Sequence, residues 1–204
     1  MSTSRFEPLS VQPADEVAGW RVLRLWRRDA FSIIWVVERV GERRLLRMAL
    51  HPPGSPEGPR MERFLEREVG ALQRVRHPCI PRLHEDGRWP DPVHGFRYLL
   101  MDHVEGVDLM VARRRGITAR RVVTIFSQLA RAIDAMRREG VNHGSIRTEN
   151  ILLRADDQPM LVDFSLADWP GNPFPPGAYP LAGYGRLDEP FQLIPIIPGK
   201  RFLS

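Results

Sequence analysis

Lysine is almost missing from this chain: of its 30 basic residues only Lys200 is a lysine, and all the others are arginines. Positive charge is therefore delivered by planar guanidinium forks rather than by compact ammonium groups, and the two are not interchangeable at a phosphate or carboxylate. Cysteine is equally scarce. Cys79 stands alone, so no intrachain disulfide can form. Its setting, RHPCIP, between a helical and a strand-like stretch, suits a small buried thiol better than a reactive one. No run of about 18 apolar residues occurs, which excludes a helical membrane span. The opening residues MSTSRFEPLSVQPADE hold no apolar core, so no secretory signal is read there and a cytoplasmic protein is expected. Long basic blocks are missing too: the longest is Arg113–Arg115, with acids interspersed throughout. The net charge of +5 then reads as a solvated, arginine-rich surface, and a nucleic-acid partner is disfavoured.

What remains is a globular composition, 43% hydrophobic and 27% charged, in a chain long enough for one or at most two units. Residues 1–18 are polar and proline-containing, a loose leader. Trp20–Trp26 alternates large apolar residues with arginine, the period of a strand with one wet face. Phe31–Arg39 is β-branched and aromatic, Gly41-Glu42 turns, and Arg44–Leu50 forms a third strand. The prolines of 52–59 break the chain. Phe64, Leu65, Val69, Leu72 and Val75 then recur at helical spacing, and His77-Pro78 ends that helix. Two further strands follow, 81–89 and 96–104. Thr118 is placed to cap a long helix with Val122, Ile125, Phe126, Leu129, Ile133 and Met136 as its apolar stripe, ending at Gly140. Two short strands, 151–153 and 160–162, come next. Beyond Asp163 the helical period disappears, and residues 164–204 carry eight prolines.

Two motifs stand together near the end of this order: VNHGSIRTENILL (Val141–Leu153) and LVDFSLA (Leu161–Ala167). They resemble the catalytic loop and the metal loop of protein kinases. With YLLMDHVEG and RHPCI, and with the strand–strand–strand–helix order, the resemblance covers about residues 20–167 and is closest in style to bacterial serine/threonine kinases. It implies an α+β, protein kinase-like fold: a five-stranded antiparallel small lobe with one main helix (19–104), a truncated, mostly helical second lobe (105–167) and an extended proline-rich tail (168–204). The tail lacks the later helices of the family, and its aromatics suggest that it wraps the truncated lobe or docks a partner.

Residue by residue, the resemblance also implies losses. The catalytic aspartate's place holds Ser145, which offers no basic oxygen at neutral pH. Gly144 stands where an arginine normally receives an activation-loop phosphate, and Ser165 replaces the glycine of the metal loop. Arg47 falls at the position of the strand lysine that reaches phosphate. The glycine-rich turn over the phosphates appears as Trp26–Ser32, with Arg27, Asp29 and Ser32 at the glycine places. There the Arg27–Arg28 pair is either a replacement phosphate clamp or part of a plain surface hairpin, and Asp29 would set negative charge near phosphate. Arg47 either pairs with Glu68, the helix glutamate of the family, or reaches a phosphate itself. Leu45, larger than the usual alanine, would crowd a purine. Asn150 and Asp163 match the two oxygen ligands of Mg²⁺, or else serve loop structure. Met101 matches the gatekeeper, Asp102–Val104, with His103, the hinge, and Asp108 a ribose contact or a helix-start acid; Leu152 is placed with them in the nucleotide cleft. The expectation is a catalytically inactive, bacterial-type pseudokinase: not an enzyme, but a binding, scaffold or regulatory module. A protein partner or second copy would meet its exposed second lobe and tail. ATP and Mg²⁺ binding would be weak or absent, with a non-standard nucleotide module or ATP-dependent transferase as the alternative.

Overall fold

The computed structural model describes residues 6–173. Of the 168–204 tail expected to wrap the second lobe or dock a partner, residues 174–204 lie outside the described residues. The main sheet is built from β1 (Glu16–Val17), β2 (Trp20–Arg28), β3 (Ser32–Arg39), β4 (Glu42–Ala49), β5 (Leu83–Trp89) and β6 (Phe96–Asp102). It is antiparallel, in the order β1-β2-β3-β4-β6-β5. The five long strands are those legible in the sequence. The two-residue β1 comes from the leader, which is not loose as expected.

Alternation along β3 explains why the leader is held. Ile34 and Val36 face the side covered by a helix, where Leu45, Leu65, Val69, Leu72, Leu99 and Met101 complete one core. Ile33, Trp35 and Val37 face the other way, beside Trp20, Leu46, Met48 and Leu100, and among the described residues no α-helix contributes to that cluster. Leader residues Phe6, Val11 and Val17 cover it instead, with the Phe6 ring edge-on to Trp89 at 4.3 Å. An apolar sheet face left wet would cost more than ordering a dozen residues of leader. The simple alternation read along Trp20–Trp26 does not persist. Two register shifts against β3 interrupt it, between Val22 and Arg24 and between Leu25 and Arg27, and Leu25 is left exposed.

Helix α1 (Gly58–Arg74) lies on the inner sheet face with Met61, Phe64, Leu65, Val69 and Leu72 buried. In the second lobe, α2 (Leu109–Arg114) is short and α3 (Ala119–Arg138) is long. Thr118 caps α3 by accepting from the Arg121 N–H. Its stripe is narrower than the sequence implies: Ile125, Leu129, Ala132 and Met136 are buried, whereas Phe126 stays 40% exposed and Val123 66% exposed. A small sheet of β7 (Val107–Asp108), β8 (Ile151–Leu153) and β9 (Pro159–Leu161) sits between the lobes. The Leu161 N–H donates to the Cys79 carbonyl, which ties β9 to the segment leaving α1. Cys79 is buried, and burial pushes its thiol pKa up, as suits an inert side chain.

Candidate functional site

Arg47 is the hub of the cleft between the lobes. It projects from β4, directly across from Ile34 of β3 and Leu99 of β6, and is 2% exposed. All three guanidinium nitrogens are engaged. Nε donates to Ser32 Oγ at 2.7 Å, and Nη2 to Asp29 Oδ2 at 2.9 Å. Nη1 donates to Glu68 Oε2 at 2.5 Å and to Asp163 Oδ1 at 3.0 Å. One side chain thus joins the β2–β3 turn, the β4 strand, α1 and the loop after β9. Only a planar fork with donors on three atoms can do this; an ammonium has one nitrogen. The expected Arg47–Glu68 pair forms, and two more carboxylates join it.

The electrostatics follow from burial and proximity. Burial works against the charge on Arg47, but Glu68, Asp163 and Asp29 outweigh it and raise its pKa well above the ordinary value. At Asp163, burial opposes ionisation, but the Arg47 charge and the Ser165 hydroxyl, donating at 2.7 Å, hold the carboxyl below its usual range. Glu68 moves the other way. Burial pushes its pKa up despite Arg47, and its Oε1 also accepts from the Phe164 N–H at 3.4 Å. At Glu68 the burial penalty comes first, and the nearby Asp163 charge adds to it.

The loop beneath is equally tied. Asp163 has left-handed backbone, φ 66°, and begins a 3-10 turn, Phe164–Leu166. His143 is fully buried. It accepts from the Ser145 N–H at Nδ1 and meets the Val162 carbonyl through Nε2 at 3.1 Å, an arrangement that needs the neutral ring. Burial accordingly pulls its pKa down to about 4. Asn150 donates from Nδ2 to the Ser145 carbonyl and to Ser145 Oγ, and its carbonyl accepts from the Val162 N–H. Gly144 is more than the loss of an arginine. Its φ is 73°, and a Cβ there would lie 2.2 Å from the Leu166 carbonyl oxygen. The close approach of this loop to the 164–166 turn requires glycine.

A cavity of about 20 Å³ remains in the cleft, lined by Trp26, Arg27, Asp29, Ile34, Leu45, Arg47, Glu68, Pro81, Met101, Val162 and Asp163. The structure therefore brings Leu45, Arg47, Glu68, Met101 and Asp163 together, as the sequence reading placed them. His103, Val104, Asp108, Asn150 and Leu152 do not line it. Val104 and Leu152 pack with Met160 and Val162 against Trp26. Asp108 caps α2, accepting from the Val111 N–H at 2.7 Å. His103 Nδ1 lies 3.8 Å from Glu105. The sequence reading missed three contributors: Trp26 as cleft filler, Ser32 as a partner of Arg47, and Arg67. Arg67, on α1, donates to the carbonyls of Ala167, Asn172 and Pro173 at 3.0–3.1 Å, fastening the segment after the metal loop to the helix. Trp169 packs against the same helix at Gly70, with Arg74 over its ring at 4.4 Å. No sequence signal marked Arg67: it is one arginine among several on α1.

A divalent cation of the kind kinases use has partial support in the donor set. Asn150 Oδ1 is buried without a hydrogen-bond partner, an orphaned oxygen of the type a hard cation takes. Asp163 supplies a carboxylate, although its Oδ1 is shared by Arg47 and Ser165. No group of three or more His, Cys, Asp or Glu suited to a metal occurs among the described residues. The oxygens present thus fit a cation that brings further ligands, such as phosphate oxygens, rather than a protein-only cage.

This fold and cleft are those of the protein kinase family. The protein kinase domain family matches residues 55–172, more than half of the chain, and the chain belongs to that family. It is similar to the serine/threonine-protein kinase PknE of Mycobacterium tuberculosis, 29% identical over 150 residues, or 72% of this chain and 26% of PknE. PknD of the same species is 27% identical over 158 residues, 76% of this chain and 23% of the relative. PknH of Mycobacterium bovis is 31% identical over 150 residues, 72% and 24%. The chain spans about a quarter of the length of these curated relatives. Their names correct one expectation. The chain was read as not an enzyme on the strength of Ser145, Arg47 and the missing glycines, yet its family and relatives are serine/threonine kinases, which are enzymes. The substitutions bear on how the cleft is organised and cannot carry the stronger conclusion. No helix among the described residues is long and apolar enough to cross a membrane.

Proposed function

We propose that the chain is an ATP- and Mg²⁺-binding module of the serine/threonine-kinase family with a non-standard phosphate side. The observation that carries this reading is the buried, unpartnered Oδ1 of Asn150, on the residue whose backbone holds Val162 next to Asp163. Leaving such an oxygen without a partner costs roughly 1–3 kcal/mol, which a bound cation would recover. Asn150 and Asp163 would hold the ion. A bound Mg²⁺ would neutralise charge on phosphate oxygens. Arg47, bonded to Asp163, would supply the fixed positive charge beside it, and Leu45 and Met101 an apolar wall. Residue 145 presents a hydroxyl, so the proton of a substrate hydroxyl is not assigned to it. Because Arg47 and the cation compete for Asp163, affinity should be low. The test is a thermal shift with ATP in the presence and absence of Mg²⁺. A rise in Tm that requires both is expected, and no rise at millimolar ATP with Mg²⁺ contradicts the reading.

A second, compatible role is protein docking on the second lobe, which Val123 and Phe126 favour by standing exposed on one side of α3. We infer a protein partner or second copy for that face. Phe126→Asp should abolish self-association in sedimentation if the partner is a second copy. A monomeric wild type would exclude that form of it.

A further inference from the structure

The β2–β3 turn fills the cleft from both of its chemical sides. Its Asp29 carboxylate accepts from the Phe31 and Ser32 N–H groups at 2.8 and 2.7 Å, from Ser32 Oγ at 2.9 Å and from Arg47 Nη2 at 2.9 Å. Two backbone N–H groups, a hydroxyl and a guanidinium converging on two oxygens make an anion site, and here the anion is part of the chain. On the apolar side, Trp26 packs against Val104, Leu152, Met160 and Val162, between the lobes. Charge bookkeeping around the cleft agrees with an internal anion. On the cavity wall, Arg27 and Arg47 stand with Asp29, Glu68 and Asp163. Among the described residues, Arg47 is the one of these arginines that is ion-paired. Arg27 lines the cavity, so removing the Asp29 charge would turn a net negative wall into a neutral one with an unused guanidinium on it.

We propose that this turn is a built-in plug: Asp29 occupies the place of a phosphate, Trp26 the apolar space beside it, and a nucleoside polyphosphate enters only by displacing both. This deepens the nucleotide-binding reading above and rests on it. With the plug in place, the space left at the base of the cleft, about 20 Å³, is on the scale of a water molecule. The Asp29 side chain is 23% exposed and that of Arg47 3%. Displacement in this proposal falls on the solvent-facing turn, and the buried Arg47 receives the incoming phosphate.

Titration calorimetry on the full chain tests the plug with three probes: ATP with Mg²⁺, tripolyphosphate and adenosine. Asp29→Asn removes the charge while an amide oxygen can still accept from Phe31 and Ser32. Asp29→Ser, which also caps such a turn, is the companion should the first variant fold poorly. Either should bind tripolyphosphate and ATP at least tenfold more tightly than wild type. Trp26→Ala should tighten adenosine and ATP while leaving tripolyphosphate unchanged. Affinities equal to or below wild type in both the Asp29 and the Trp26 variants overturn the plug, even if wild type binds ATP with Mg²⁺. Conversely, tighter tripolyphosphate binding in the Asp29 variant with no response to ATP and Mg²⁺ supports the anion half of the plug and removes the nucleotide reading.

Discussion

Arg47 shows how one side chain can set the character of a site. A buried guanidinium is stable only with full hydrogen bonding and compensating charge, and Ser32, Asp29, Glu68 and Asp163 provide both. Replacing it by lysine, the residue of the family at this place, should destabilise this protein. The ammonium keeps the charge but cannot span four partners, and losing two charged hydrogen bonds costs about 2–4 kcal/mol. Chemical denaturation of Arg47→Lys measures this; unchanged stability would mean that the cage is incidental. His143 makes a second residue-scale prediction. Its pKa is lowered from 6.5 to about 4, so the unfolded chain binds a proton that the folded one excludes. Stability should be level above pH 7 and fall as pH drops from about 6.5 toward 4, by roughly 3 kcal/mol in all. Asp163, held below the usual carboxylate range, loses its contribution only at still lower pH. His143→Gln should flatten the upper window. A wild-type profile level from pH 7 to 4.5 would show that His143 is not buried as a neutral ring.

At the scale of elements, α1 is the piece on which both lobes converge. Glu68 reaches Arg47 and the Phe164 N–H, Arg67 holds three carbonyls between 167 and 173, and Gly70 admits Trp169. Arg67→Met should therefore release the 167–173 segment while leaving the sheet intact. Hydrogen exchange should accelerate there by tenfold or more, with strands β3, β4 and β6 unchanged. Uniform acceleration would mean that Arg67 supports the whole fold, and none would mean that it anchors nothing. The elements themselves were largely legible. β3 shows its two-sided burial as a continuous β-branched and aromatic run, and α1 and α3 show their 3.6-residue periods. Two features were not. The leader is polar in sequence, and only the bare outer face of the sheet explains why Phe6, Val11 and Val17 are held. The bulges in β2 break an alternation that the sequence suggests is regular, because register is decided by the partner strand.

For the molecule as a whole, the family resemblance gave the order of the lobes and the pairing of Arg47 with Glu68. It could not give the tertiary partners that a substituted residue recruits. Asp29 stands in sequence as an unsuitable replacement for glycine, and in the fold it is a counter-ion of Arg47. Gly144 stands as a missing arginine, and in the fold it is the residue that lets one loop touch another. Such reassignments depend on contacts across more than 15 residues of sequence, which no local pattern records. They also explain why a tally of absent motif residues was a poor guide to whether the chain is an enzyme. The cleft that results is kinase-shaped, closed by its own turn, and keeps two oxygen donors in place. The most direct measurement of the central claim is calorimetric titration of ATP into the wild-type chain with and without Mg²⁺, repeated on Asp163→Asn. Weak binding that requires Mg²⁺ and is lost in the variant is predicted. Binding that ignores both the cation and the substitution, or no binding at all, would contradict it.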